Sequence, residues 1–347
     1  MPANGSDLIM LIPVHVDDGL AATNSPSLWQ WLICELEKSF EISDLGPVTL
    51  YLGIRITRDR AHRTLYLLQK TFVTNLLTSY NLLESHPQST PLRHPLHLLP
   101  TPPPNSLPDI RDCDITAHYQ ALVGSLTYLV VCTRPDLAYT AMALGQFNAN
   151  PTRAHLLAAK GVLRYLVGTI NYSLEYGSLP STDDPVFGAY THGYSLTDAD
   201  WATDQSDRKS VSGYLFYLFR SLVSWSAVKQ KTIALSSTES EYMAMAHAMK
   251  EVLWLRLFLS DVRLPMPRPF PILCDNVGAM DIANSDATSS RSKHIDIRYH
   301  FIRKHLASGS FSTSWISTAD MTADILTKPL ALPLHTKHTV NLGLISH

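Results

Sequence analysis

This sequence has few cysteines, a small net charge and no long apolar run. Its four cysteines, Cys34, Cys113, Cys132 and Cys274, form no CxxC pair, so neither a zinc site nor a disulfide framework is predicted. The net charge of −2 excludes a globally basic nucleic-acid binder but leaves local basic patches open. No apolar run reaches the roughly 18 residues of a membrane span, and the N-terminal segment lacks the flanks of a signal peptide. We therefore expect a protein of the cytoplasm or nucleus with no membrane partner.

The 45% apolar fraction and the length of 347 residues suffice for two or three domains. The sequence predicts a strand over residues 8–16, followed by a turn. A later proline-rich segment is predicted to be a linker, because proline fixes φ and lacks a backbone donor. Beyond a helical region come three strands, a long helix, and strands that alternate with helices. This order predicts an antiparallel meander extended by parallel strands. The predicted segments are residues 1–93, the linker 94–116, the helical region 117–178 and a domain over 187–340.

Four acidic residues lie where this topology would bring them together. Asp198 ends the first strand of the last domain and Asp275 follows its fourth strand, which should lie beside the first. The long helix adds Glu241 on its apolar face, and Asp324 begins a short helix predicted from about residue 321. Carboxylates gathered at one edge repel one another unless divalent cations neutralise them. This arrangement is typical of two-metal phosphodiester cleavage.

Each acid taken alone also has a structural explanation. Ser236 with Glu239, or Thr238 with Glu241, fits a capping box, and Asp324 would stabilise the dipole of a helix that it opens. Glu239 falls on the helical face expected to meet solvent. The pattern leaves these alternatives open.

Several segments of the sequence resemble copia-type LTR-retrotransposon polyproteins. The ribonuclease H domain at the end of those polyproteins is matched by TDADWATDQSDRKSVSGYLFYL, LVSWSAVKQKTIALSSTESEYMA, CDNVGAM, SRSKHIDIRYHFIRKHL and ADMTADILTKPL. The latter part of their reverse transcriptase is matched by HVDDGL, FEISDLGPVTLYLGIRI, LVGSLTYLVVCTRPDLAYTAMALGQF and AAKGVLRYLVGT. The resemblance covers nearly the whole chain.

The resemblance implies an α/β and α+β protein that ends in a ribonuclease H-like fold, a mixed five-stranded sheet with helices. A truncated reverse-transcriptase palm/thumb remnant and a helical connection would precede that domain. The implied activity is an endonuclease that cleaves the RNA strand of RNA/DNA hybrids by two-metal hydrolysis with Mg²⁺, which Mn²⁺ could replace. The catalytic, metal-binding acids of the family fall on Asp198, Glu241, Asp275 and Asp324. The implied partners are nucleic acid and other parts of the polyprotein.

The HVDD stretch resembles the acidic hairpin of the polymerase site, with His15 where an aromatic residue usually stands. Asp17 and Asp18 would be two of its metal ligands. The upstream acidic strand that completes such a site is absent from the sequence, so we expect a remnant site and no polymerase activity from this chain alone. Two alternatives to the hydrolase stay open: a catalytically inert fragment that only binds nucleic acid, and a reverse transcriptase active only when the missing palm is supplied.

The densest basic run lies in and before the last long helical pattern, and it predicts a nucleic-acid-binding face. The alternative is a solvated helix face. The predicted residues are Arg291, Lys293, Arg298, Arg303 and Lys304. Others that could join this face are Arg208, Lys209, Lys229 and Lys231.

Overall fold

The computed structural model describes residues 8–95, 112–177, 186–204, 206–264, 266–285 and 296–346. The contacts between Cα atoms divide the chain into two units, Met1–Thr57 and Arg58–His347. The predicted linker at 94–116 lies mostly outside the described residues.

The first unit consists of short antiparallel pairs and one helix. Its elements are β1 (Met10–Leu11), β2 (Val14–His15), β3 (Asp18–Gly19), β4 (Ala22–Thr23), α1 (Pro26–Leu36), β5 (Leu50–Tyr51) and most of β6 (Ile54–Asp59), whose last two residues belong to the second unit. Strand β1 pairs with β4, β2 with β3, and β5 with β6. The single strand predicted over residues 8–16 is wrong: it is interrupted at Pro13, which has no N–H to give to a ladder.

The second unit begins with a strand and a group of helices. These are β7 (Thr64–Leu68), α2 (Lys70–Ser79), α3 (Asp112–Cys132), α4 (Ala138–Gly145), α5 (Arg153–Gly168) and β8 (Tyr172–Tyr176). The helices share a core that includes Leu77, Leu122, Leu144 and Leu163. Helices therefore fill most of the region predicted to be helical, but β8 at its end was not predicted as a strand.

Helix α3 contains an 18-residue segment, Ile115–Cys132, with a mean hydropathy of 1.3 and 28% of its residues buried. By length and composition this segment could cross a membrane, so the expectation that no run is long enough is wrong. Its buried side chains, such as Tyr119, Leu122 and Leu126, form one stripe that packs against α4 and α5. That spacing is also found in the core helices of globular domains.

The rest of the second unit is built on a mixed sheet. Its elements are β9 (Gly193–Asp200), β10 (Val211–Leu218), β11 (Ser221–Lys229), α6 (Ser237–Asp261), β12 (Phe270–Cys274), α7 (Val277–Asn284), α8 (Asp296–Ala307), β13 (Phe311–Trp315), a 3₁₀ helix (Thr322–Leu326), α9 (Leu332–Asn341) and β14 (Leu344–Ser346). The strand order is β11-β10-β9-β12-β13. The first three strands are antiparallel, whereas β12 is parallel to both β9 and β13. The predicted meander extended by parallel strands is confirmed.

The chain end differs from the prediction of one short final helix. The segment around Asp324 is a 3₁₀ helix, and α9 and β14 follow it. Strand β14 pairs with β8, and β8 pairs with β7. The last residues of the chain therefore complete a second sheet with the segment that precedes residue 178.

Candidate active site

Two neighbouring parallel strands position the first two acids. Strand β12 pairs with β9 through Ile272 with Ser195 and Leu273 with Leu196. Extending this register by three residues puts Asp275 beside Asp198. Asp198 is buried, at 3% exposed. The carboxylate of Asp275 accepts a hydrogen bond of 2.7 Å from the Thr318 hydroxyl.

Helix α6 brings the third acid to the same strand ends. Its N-cap is Ser236, and Glu241, in the second turn, is buried. One ligand atom each from Glu241, Cys274 and Asp275 lie within 4.8 Å of one another. The Cys274 thiol is 3.9 Å from Glu241 Oε2 and donates weakly to it.

The fourth acid, Asp324, lies on the 3₁₀ helix, which packs on β10 at Gly213. Gly213 is paired with Asp198 on the neighbouring strand. A Cβ at Gly213 would lie 2.9 Å from Leu326 Cβ and 2.9 Å from Thr327 Cγ2. The missing side chain therefore allows the segment that carries Asp324 to approach the strand ends.

Two side chains that follow Asp324 hold the acids in place. The Thr327 hydroxyl donates a short hydrogen bond to Asp198 Oδ2. Lys328 Nζ forms an ion pair with Asp324 Oδ1 at 2.9 Å. This lysine is the cation that partly balances the charge of the cluster.

Burial and mutual repulsion favour the protonated forms of two acids. Burial, together with the charges of Asp198 and Asp275, raises the pKa of Glu241 to about 10. Burial and the charge of Asp198 raise the pKa of Asp324 to about 7, against the opposing effect of Lys328. The carboxyl of Asp198 lies within hydrogen-bonding reach of both. The carboxyl of Asp198 therefore lies between the two acids whose pKa values are raised.

The donor set fits a hard divalent cation. Oxygen atoms of crowded carboxylates are the ligands that Mg²⁺ prefers, and a bound cation would favour their charged forms. Burial, with the charge of Glu241, raises the pKa of the Cys274 thiol, so this sulfur stays protonated and is a poor ligand for such an ion.

Filling the space at Gly213 is expected to disturb the cluster. In Gly213→Ala the added methyl group would meet the Cβ of Leu326, which cannot rotate away, so the 3₁₀ helix must move outward. We expect a loss of about 1 to 3 kcal/mol in the free energy of unfolding measured with urea and weaker Mg²⁺ binding measured by calorimetry. The matched control is Gly124→Ala in α3, where a Cβ meets nothing within 4 Å. Equal stability of the two variants would show that the close approach is unimportant.

The structure brings the four predicted acids together within the second unit. Asp17 and Asp18 lie in the first unit, exposed, at the turn and second strand of the β2–β3 hairpin. Among the basic residues, Arg303 donates to the Ile282 carbonyl at 3.3 Å, and Lys304 is exposed. Arg298 lies within α8. Arg291 and Lys293 are outside the described residues.

One expectation about a charged side chain needs correction, and one basic candidate has acidic partners. Glu239 does not face solvent but is buried, and its Oε2 accepts a hydrogen bond of 2.9 Å from the Leu235 amide. The Glu239 amide in turn donates to Ser236 Oγ at 3.1 Å, so this acid belongs to the helix cap. Lys229, considered for the basic face, forms ion pairs with Asp204 and Asp207.

The sequence reasoning missed Gly213, Cys274, Thr327 and Lys328. The spacing of Asp324 and Lys328, four residues apart, was a usable signal, because such pairs meet on one side of a helical turn. Gly213 interrupts a strand rich in aromatic residues, which often marks a close approach of another backbone.

The sheet order and strand directions are those of a ribonuclease H-like fold. No family model matches the chain. Among solved structures, LC11-RNase H1 isolated from compost is similar at a TM-score of 0.31 and 13% identity, over 40% of this chain and 93% of that one.

Curated relatives cover most of the chain. It is 37% identical over 319 residues, 92% of its length, to the retrovirus-related Pol polyprotein from transposon TNT 1-94 of Nicotiana tabacum, but spans only 23% of that protein. It is 30% identical over 248 residues to the putative transposon Ty5-1 protein YCL074W of Saccharomyces cerevisiae, over 71% of this chain and 75% of that protein. The chain therefore belongs to the retrovirus-related Pol polyproteins of copia-type transposons.

Proposed function

We propose that residues 187–340 act as a ribonuclease H-type endonuclease that cleaves the RNA strand of RNA/DNA hybrids by two-metal hydrolysis. One observation carries the proposal: four carboxyls from separate elements meet at the ends of two adjacent parallel strands. Repulsion among crowded carboxylates lowers the stability of the folded chain, and a bound cation would offset that loss.

Asp198, Glu241, Asp275 and Asp324 are the residues that would hold the ions. When bound, Mg²⁺ ions would supply activation of the attacking water and stabilisation of the leaving 3′-oxygen. Thr327 fixes the orientation of the Asp198 carboxylate through its hydrogen bond. Lys328 holds Asp324 in place until a cation competes for it. No side chain is required as a nucleophile.

The substrate would be recognised by shape and by its 2′-hydroxyl groups, because an A-like duplex offers little base-specific readout. Cleavage should therefore depend little on sequence. The exposed basic residue Lys304 and the others of the predicted basic face would contact phosphates. In the parent element this activity would remove genomic RNA during reverse transcription, next to the other parts of the polyprotein.

A labelled hybrid tests the proposal directly. The full chain with Mg²⁺ is expected to cut the RNA strand of an RNA/DNA hybrid, whereas single-stranded RNA, duplex RNA and samples with a chelator should stay intact. Equal cleavage of single-stranded RNA would refute hybrid specificity. A well-folded chain that binds the hybrid without cutting it would instead be an inert nucleic-acid-binding fragment.

A further inference from the structure

A second cluster of polar side chains in the second unit consists of two arginines and a histidine and lies away from the acids. Its centre is Ser310, which directly precedes β13, whereas Asp275 directly follows β12. Because these two strands run parallel over five paired residues, the two clusters lie at opposite ends of the strands, about 20 Å apart.

Arg256 of α6 is the buried member of this cluster. It is 8% exposed, and its Nη2 donates to the Ser310 carbonyl at 2.8 Å. Its guanidinium lies 5.3 Å from the ring centroid of Phe311. The Nε atom is buried without a hydrogen-bond partner, and no carboxylate in the described part of the chain pairs with this arginine. A buried cation without a counter-charge is costly unless an anion joins it.

Arg268 lies beside Arg256 because both segments bind the same carbonyl oxygen. The Phe270 amide donates to Ser310 O at 3.1 Å, and Arg268 is only two residues before Phe270. Burial and the charge of Arg268 lower the pKa of Arg256, which agrees with this proximity. Arg268 is exposed, and it too lacks an ion pair with the described carboxylates.

His305 of α8 completes the cluster. Its carbonyl accepts a hydrogen bond of 3.0 Å from the Ser310 amide. Its ring packs edge-on against Phe311 at 5.9 Å, so His305 and Arg256 contact the same aromatic side chain. Burial and the charges of Lys304 and Arg256 lower the pKa of this histidine.

We propose that Arg256, Arg268 and His305 form a binding site for a phosphate group, either free or in the backbone of a nucleic acid. Guanidinium groups match the geometry of phosphate oxygens and bind them with charge-assisted hydrogen bonds. The anion would supply the counter-charge that the chain itself does not provide. The nucleic-acid source rests on the proposed function, since a strand held at the acids would have to extend about 20 Å to reach this site.

Calorimetric titration of the full chain with inorganic phosphate tests the site without any cleavage. Arg268→Gln removes the exposed guanidinium and should not affect folding. We expect its phosphate dissociation constant to rise about tenfold, the effect of losing one charge-assisted contact. The control is Lys250→Gln, which removes one exposed positive charge from the same helix as Arg256. No phosphate binding by the wild type, or equal weakening in both variants, would overturn the proposal.

A second measurement distinguishes the two sources of phosphate. Binding of a fluorescent RNA/DNA hybrid is measured with a chelator present, over a range of salt concentrations. If the backbone supplies the phosphate, Arg268→Gln should reduce the slope of log affinity against log salt by about 1. An unchanged slope with lost phosphate binding would assign the site to free phosphate. Because neither readout requires cleavage, failure of the nuclease proposal would not be mistaken for failure of this one.

Discussion

Asp198→Asn is expected to abolish hybrid cleavage, with a loss on the order of 10³-fold or more, because the proposed metal ions would stabilise the transition state by several kcal/mol. The physical reason is its position: this carboxyl contacts both Glu241 and Asp324. The same change removes the charge that repels these two acids. Without metal at pH 8, the melting temperature should therefore stay equal or rise.

Glu239→Gln is the control for this experiment. Glu239 is on the same helix as Glu241, but its carboxylate accepts a hydrogen bond from the Leu235 amide in the helix cap. A glutamine oxygen can still accept that bond, so we expect nearly full activity and a stability loss of at most about 1 kcal/mol. Cleavage that survives in Asp198→Asn, or is lost equally in Glu239→Gln, would contradict the assignment of the four acids.

Without metal, the free energy of unfolding is expected to fall by about 1 kcal/mol per pH unit between pH 7.5 and 8.5. The folded chain keeps protons on Asp324 and Glu241, whose pKa values are raised to about 7 and about 10, whereas the unfolded chain has released them. More protons bound in the folded state mean that stability is lost as pH rises. Below about pH 7.5 buried histidines with lowered pKa values, such as His338, act in the opposite direction, because they take up protons on unfolding.

Added Mg²⁺ should remove most of this dependence, because a bound cation favours the ionised acids and stabilises the folded chain in proportion to its affinity. Urea unfolding at several pH values, with Mg²⁺ or with chelator, measures both effects. In Asp198→Asn the slope without metal should become shallower. A wild-type slope of zero without metal, or one that Mg²⁺ leaves unchanged, would show that the acids do not repel one another as described.

The positions of the acids could be predicted because they follow from strand order. A meander followed by a parallel strand puts the ends of β9 and β12 side by side, so Asp198 and Asp275 converge whatever the loops do. The helical spacing of apolar residues likewise predicted that Glu241 lies on the apolar face of its helix. For Glu239 the pattern failed, since α6 packs on the sheet on one side and on α7 and α8 on another, and a helix covered on two sides has no single exposed face.

Contacts that join distant segments could not be predicted. The Thr327–Asp198 hydrogen bond joins residues 129 positions apart, and nothing in the local sequence of either residue indicates it. Strand β14 has three residues, too few for a periodic pattern to be recognised. The pair of Asp324 and Lys328 could have been predicted from its four-residue spacing. The proposed phosphate site at Ser310 could be recognised only in the tertiary structure.

Strand β14 has a consequence for the order of events during synthesis. Ser173 of β8 reaches Ile345 of β14 across 172 positions, so this edge of β8 stays unpaired until β14 has been synthesised. An open strand edge can pair with another chain, and pairings this distant form slowly. During the interval between synthesis of β8 and synthesis of β14, this strand edge is therefore open to pairing with other chains.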